Sequence, residues 1–137
     1  MDYQKLFGAT LASKNGPVPT SDLAGKVVGL YFSAHWCPPC RMFTPKLRQT
    51  YLQLKAAGKD FEVVFCSFDR SQRDFEEYFG TMPWLAVPFD REDLRQSLGN
   101  TFDVSGIPTL LLMDESGVYN SDGRTSVMMN PQGFPWK

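Results

Sequence analysis

Apolar positions fall in two distinct rhythms along the chain. Lys26 to Ser33, KVVGLYFS, and Phe61 to Phe68, FEVVFCSF, are short, nearly continuous apolar runs rich in β-branched and aromatic residues. That pattern predicts strands buried on both faces. Between them the period changes. Over Pro38 to Ala57, residues Phe43, Leu47, Tyr51 and Leu54 recur at spacings of four, four and three, the stripe of an amphipathic helix. Pro45 lies inside that helix and is expected to kink it, because it has no N–H for the carbonyl of Arg41. A helix long enough to cross between the two strands makes them a parallel, right-handed pair.

The second half reads with the same rules. Ser71 and Asp74 resemble a capping box ahead of an apolar stripe of Phe75, Tyr78 and Phe79 that stops at Gly80. Asp90 is the candidate cap of a third helix carrying Leu94 and Leu98 and closed by Gly99. Thr109 to Met113, TLLLM, predicts a third long strand, and Asp114 to Gly117 a tight turn into a return strand at Val118 and Tyr119. Leu6 to Ala12 reads as an edge strand, residues 14–20 (KNGPVPT) as a turn-rich connection, and residues 120–137 as weakly patterned. The order β-α-β-α-α-β-β implies an α/β fold, a central mixed sheet flanked by helices. With 137 residues, a single domain spanning 1–137 is expected.

Composition narrows function more than fold. The formal net charge is −1, so there is no basic field to attract nucleic acid. No run approaches the roughly 20 apolar residues of a membrane span. The stretch MDYQKLFGATLASKNG lacks the apolar core of a secretory signal, so a cytoplasmic or nuclear location is expected. Three cysteines are too few for a secreted disulfide scaffold.

The chemistry concentrates in HWCPPCR, residues 35–41. A C-x-x-C pair admits half a zinc site, a structural staple or a redox dithiol. Zinc is disfavoured: Cys66 falls mid-strand, His35 is only two residues from Cys37, and no second C-x-x-C exists. A staple does not fit a reducing compartment. Placement between a strand and a helix favours redox chemistry. The Cys37 sulfur then meets free backbone N–H groups and the positive end of the helix dipole, both of which favour thiolate. Pro38 suits the first helical position, and Pro39, still in the first turn, removes no intrahelical bond. Cys40, one turn further in, is the expected resolving thiol. Cys66 reads as core.

YFSAHWCPPCRMFTP resembles the active-site segment of the thioredoxin superfamily. FEVVFCSFDRS, MPWLAVPF, SGIPTLLLMD and NPQGFPW extend the resemblance to its tryparedoxin and nucleoredoxin branch. The resemblance implies that Cys37 attacks a substrate disulfide and Cys40 resolves it. It implies that Trp36, Pro38, Pro39, Ile107 and a cis Pro108 form the surface that meets the substrate chain. No bound cofactor is implied, since the Cys37–Cys40 dithiol carries both electrons, and no metal. Partners would be disulfide-containing proteins, peroxiredoxins among them, with an upstream dithiol or reductase as donor and the chain acting as a monomer. A redox-gated binding module that regulates a signalling partner is the rival reading. Pro83 and Trp84 read as core and loop-shaping residues.

Departures sharpen the comparison. Tyr31 stands six positions before Cys37, where ordinary thioredoxins carry a buried Asp, as it does in tryparedoxins and nucleoredoxins. Its phenol is a poor base, which leaves water or the substrate thiolate to take the Cys40 proton. Asp69 is followed by Arg70, where tryparedoxins often have Glu. Arg70 and His35 lean toward nucleoredoxin. Arg124 matches a late basic residue that tryparedoxins place near their bulky dithiol donor.

Overall fold

The computed structural model describes residues 2–137. Its elements run α1 (Tyr3–Phe7), β1 (Thr10–Leu11), β2 (Val18–Pro19), a 3-10 turn (Thr20–Leu23), β3 (Val27–Ser33), α2 (Pro38–Ala56), β4 (Phe61–Ser67) and α3 (Gln72–Phe79). They continue with β5 (Leu85–Ala86), α4 (Glu92–Thr101), β6 (Thr109–Asp114), β7 (Gly117–Asn120) and α5 (Gly123–Met129). The main sheet has the order β5-β4-β3-β6-β7. β3 pairs in parallel with β4 and antiparallel with β6, so the sheet is mixed, as the sequence pattern implied.

Strand alternation divides the core. Val28, Leu30 and Phe32 of β3, with Leu111 and Met113 of β6, face a layer holding Tyr3, Phe7, Leu23 and Leu98. Tyr31, with Leu110 and Leu112, faces the opposite layer, where Phe43, Leu47 and Tyr51 of α2 pack with Phe75, Tyr78 and Trp84. Adjacent positions point to opposite faces of a strand, so one run of apolar residues serves two layers. All seven residues of β4 are buried. Trp84 is 1% exposed, in keeping with its reading as core.

Several expectations need correction. Leu6 to Ala12 is not one strand: helix α1, capped by the Asp2 side chain, takes Leu6 and Phe7, Thr10 and Leu11 pair with Pro19 and Val18, and Ala12 bridges to Ala86. Asp90 does not cap α4. Arg91 holds the cap position without a side-chain bond, while Glu92 and Asp93 supply negative charge in the first turn. The helix also continues through Gly99 to Thr101. The weakly patterned tail is ordered. Asp122 caps α5, Val127 enters the core, and Trp136 packs edge-on against Phe61 at 5.8 Å. Ser71 does cap α3, accepting from the Asp74 N–H at 3.1 Å.

α5 docks through a glycine. A Cβ at Gly123 would lie 2.9 Å from the Leu110 carbonyl oxygen, inside the contact distance, and the obstacle is backbone that cannot rotate away. Gly123→Ala is therefore expected to cost roughly 1–3 kcal/mol in urea unfolding, in the range of overpacked cores. Met129→Ala, at a position 81% exposed, should leave the midpoint unchanged.

Candidate functional site

β3 ends at Ser33, and the chain turns through Ala34, His35 and Trp36 before α2 begins. The Cys37 N–H donates to the Ala34 carbonyl at 3.2 Å, closing that turn. Cys37 is the N-cap of α2, with extended backbone at φ −103° and ψ 107°. Its sulfur accepts the Cys40 N–H at 3.3 Å. Pro38 and Pro39 fill the first two helical positions, and the Arg41 N–H goes to the Cys37 carbonyl at 3.1 Å. The opening donors of the helix are thus fully accounted for: two are absent, one goes to sulfur and one to a carbonyl. Cys37 and Cys40 are joined as a disulfide with Cα atoms 5.2 Å apart. Cys37 is 5% exposed and Cys40 fully buried, so of the two only the first reaches the surface at all.

The surrounding rim is built from three segments. Trp36 stands 46% exposed, with its indole N–H donating to the Phe68 carbonyl at 3.2 Å. The Arg70 guanidinium lies 4.8 Å from the centre of the Trp36 ring, a cation–π arrangement. Asp69 is buried beneath them. One of its oxygens accepts the His35 N–H at 2.7 Å and the other the Ser67 hydroxyl at 2.7 Å. This carboxylate ties the end of β4 to the turn before Trp36. The third segment is Ile107, half-buried, and Pro108, buried behind a cis peptide bond. The Ile107 carbonyl oxygen lies 3.8 Å from the Cys37 sulfur. A cavity of about 750 Å³ opens beside Trp36, with Arg70, Phe89, Arg95 and Gln96 among its walls.

Below Cys40 runs a chain of buried hydroxyls. Thr44 Oγ1 donates to the Cys40 carbonyl at 3.0 Å. Tyr31 and Tyr78 each place a phenol oxygen 2.7 Å from Thr44 Oγ1, and Ser33 Oγ lies 2.7 Å from the Tyr78 oxygen. With the Thr44 proton on the Cys40 carbonyl, Tyr78 donates to Thr44 and Ser33 to Tyr78, while Tyr31 has both Thr44 and, at 3.5 Å, the Cys40 carbonyl as acceptors. All four protons then point toward the start of α2. Burial pushes the Tyr31 phenol well above its ordinary value, so it stays a neutral donor. Sequence reasoning identified Tyr31 but missed Ser33, Thr44 and Tyr78. Nothing in the sequence marks them, because the contacts join β3, α2 and α3.

The fold thus brings Trp36, Cys37, Pro38, Cys40, Asp69, Arg70, Ile107 and Pro108 to one end of the sheet, with Pro39 exposed on the first turn. Arg124 is exposed at the start of α5, next to the glycine that packs on Leu110, two residues past Pro108. Among the described residues, no hydrogen bond or ion pair joins Arg124 to the dithiol. Cys66 lies fully buried in the layer facing α4.

Comparison with known proteins follows the same lines. A family model described as thioredoxin-like matches residues 25–118. The chain is 49% identical over 136 residues to tryparedoxin of Trypanosoma brucei brucei, covering 96% of this chain and 94% of that one. It is 46% identical over 134 residues to nucleoredoxin of Bos taurus, covering 96% of this chain but only 31% of that protein. The solved structure of tryparedoxin from Trypanosoma brucei matches with a TM-score of 0.91 at 47% identity, covering 99% of both chains.

Burial pushes the Cys66 thiol up to about 12, against a smaller opposing pull from the Arg95 charge. At pH 8 such a thiol is ionised to roughly one part in ten thousand, and thiolate is the reactive form. Iodoacetamide at pH 8 should therefore modify Cys37 in the reduced native protein and spare Cys66 until denaturant is added. Peptide mass mapping checks this; native labelling of Cys66 at a comparable rate would contradict it.

Proposed function

The chain belongs to the thioredoxin-like family, in its tryparedoxin and nucleoredoxin branch, and is a thiol–disulfide oxidoreductase; from that premise we propose that it reduces disulfides in partner proteins. The observation that carries the proposal is the asymmetry of the pair: Cys37 caps the helix and just reaches the surface, joined to Cys40 fully buried a turn below.

In the proposed cycle the Cys37 thiolate attacks one sulfur of a substrate disulfide. The substrate S–S bond breaks, one substrate sulfur leaves as thiolate, and the other stays bonded to Cys37. Cys40 loses its proton to water or to that thiolate and attacks the Cys37 sulfur. The mixed disulfide breaks, the second substrate thiol leaves, and the Cys37–Cys40 disulfide forms. Two electrons have passed to the substrate, and an external dithiol donor or reductase must return them. The dithiol is the only redox group that the cycle needs.

Trp36, Pro38, Pro39, Ile107 and Pro108 are assigned to the surface that meets the substrate chain. Arg70, fixed on Trp36, is assigned to steering, because exposed rim charges act mainly on encounter and selectivity. Arg124 is assigned to the donor side, and Tyr31 and Asp69 to support. Peroxiredoxin-type enzymes are the proposed substrates, on likeness to tryparedoxin. A cytoplasmic or nuclear setting suits a dithiol that must be kept reduced; no helix among the described residues is long and apolar enough to cross a membrane.

Reduction of insulin by dithiothreitol should be accelerated by the wild type and not by Cys37→Ser. Cys40→Ser should stall at the mixed disulfide and hold its partner covalently. Wild type that lacks turnover yet binds a partner only when reduced would favour the rival reading, a redox-gated module regulating a signalling partner. The likeness to nucleoredoxin supports that rival.

A further inference from the structure

Zinc at the cysteines is disfavoured by the spacing of His35 and Cys37, but the fold gives this histidine other company. A ring nitrogen of His35 and carboxylate oxygens of Asp74 and Glu77 all lie within 4.8 Å of one another. His35 is the only histidine in the chain. It is held from two sides. Its backbone N–H donates to buried Asp69 at 2.7 Å, and its ring packs against Tyr78 of α3 with centroids 5.7 Å apart. Tyr78 is itself tied down by Ser33 and Thr44.

α3 supplies the carboxylates. Asp74 and Glu77 are three residues apart and therefore neighbours on the helix surface. The Ser71 cap sets the turn that carries Asp74. Asp74 has no ion-pair partner among the described residues. Glu77 meets Arg73 at 3.2 Å, with side chains 50% and 86% exposed, a pairing that water weakens.

We propose that His35, Asp74 and Glu77 bind one zinc-class divalent cation, with a remaining position open to water. One imidazole and two carboxylates suit Zn²⁺, whereas Mg²⁺ and Ca²⁺ favour all-oxygen sets. Metal–ligand bonds of about 2.0–2.2 Å place tetrahedral ligand atoms roughly 3.3–3.6 Å apart. The three groups must close by about an ångström. Exposed Glu77 and half-buried Asp74 can do so by side-chain rotation, while the His35 backbone stays tied to Asp69. The cation would join α3 to the turn that carries Trp36. It uses no cysteine and does not depend on the proposed redox cycle.

The test titrates the untagged full chain with zinc chloride by calorimetry. The Cys37–Cys40 pair is kept oxidised so that no thiolate competes there. One ion per chain should bind with micromolar affinity, and millimolar Mg²⁺ should not displace it. His35→Ala and Glu77→Gln should each weaken binding by roughly tenfold or more. Glu77→Gln changes an exposed side chain and should keep the wild-type unfolding midpoint, so its effect reads binding and not folding. The single set of imidazole NMR resonances should shift on zinc addition. The proposal is overturned if wild type binds no zinc, if binding survives both substitutions unchanged, or if zinc binds while the imidazole resonances stay fixed.

Discussion

A sulfur atom sits at the N-cap of α2, a position that Ser, Thr, Asp or Asn usually fills, and the arrangement of the dithiol follows from it. The cap requires extended backbone at Cys37, which the β3–α2 junction provides. It also requires an N–H aimed back at the side chain. With Pro38 and Pro39 in the first two positions, the donor is the Cys40 N–H, so the residue carrying the second sulfur also solvates the first. The prolines therefore do more than stiffen the loop. They leave no competing or unsatisfied donor at the helix start. Position in the helix field adds roughly 0.3–2 kcal/mol in favour of a Cys37 anion, at most about 1.5 pKa units. A hydrogen bond to a charged group adds a comparable amount.

Two buried polar systems keep that cap in register. On one side Asp69 spends both oxygens on Ser67 and the His35 N–H, tying the end of β4 to the turn before Trp36. On the other, the Ser33, Tyr78, Thr44 and Tyr31 hydroxyls converge on the Cys40 carbonyl. Both are fully bonded within the protein, and burial makes breaking them costly, at about 1–3 kcal/mol for each group left unpaired. The rim is of another kind. Arg70 on Trp36 is exposed, a charge stacked on an aromatic face at the surface.

The parts legible in the sequence were those with short-range causes. β3 and β4 announced themselves as apolar runs, α2 by its spacing, and α3 by Ser71 and the stripe of Phe75, Tyr78 and Phe79. The Cys37–Cys40 pair stood out by spacing and flanking prolines. The rest depended on distant partners. Asp90 has the right chemistry for a cap, but α4 starts later, where Glu92 and Asp93 meet its positive end. α5 buries little besides Val127 and relies on the absence of a side chain at Gly123, which no periodicity reveals. Thr44 and Tyr78 looked like ordinary helix residues, because their role exists only once α2 and α3 face β3.

The reactivity of the dithiol rests on the charge state of the cap sulfur. The most direct measurement is the ultraviolet thiolate titration of reduced Cys40→Ser, which keeps the backbone N–H of residue 40 and leaves Cys66 silent below its value of about 12. An apparent pKa for Cys37 clearly below the ordinary thiol value of about 8.5 is the expected result. A titration at or above that value would contradict the claim that the N-cap position stabilises the thiolate.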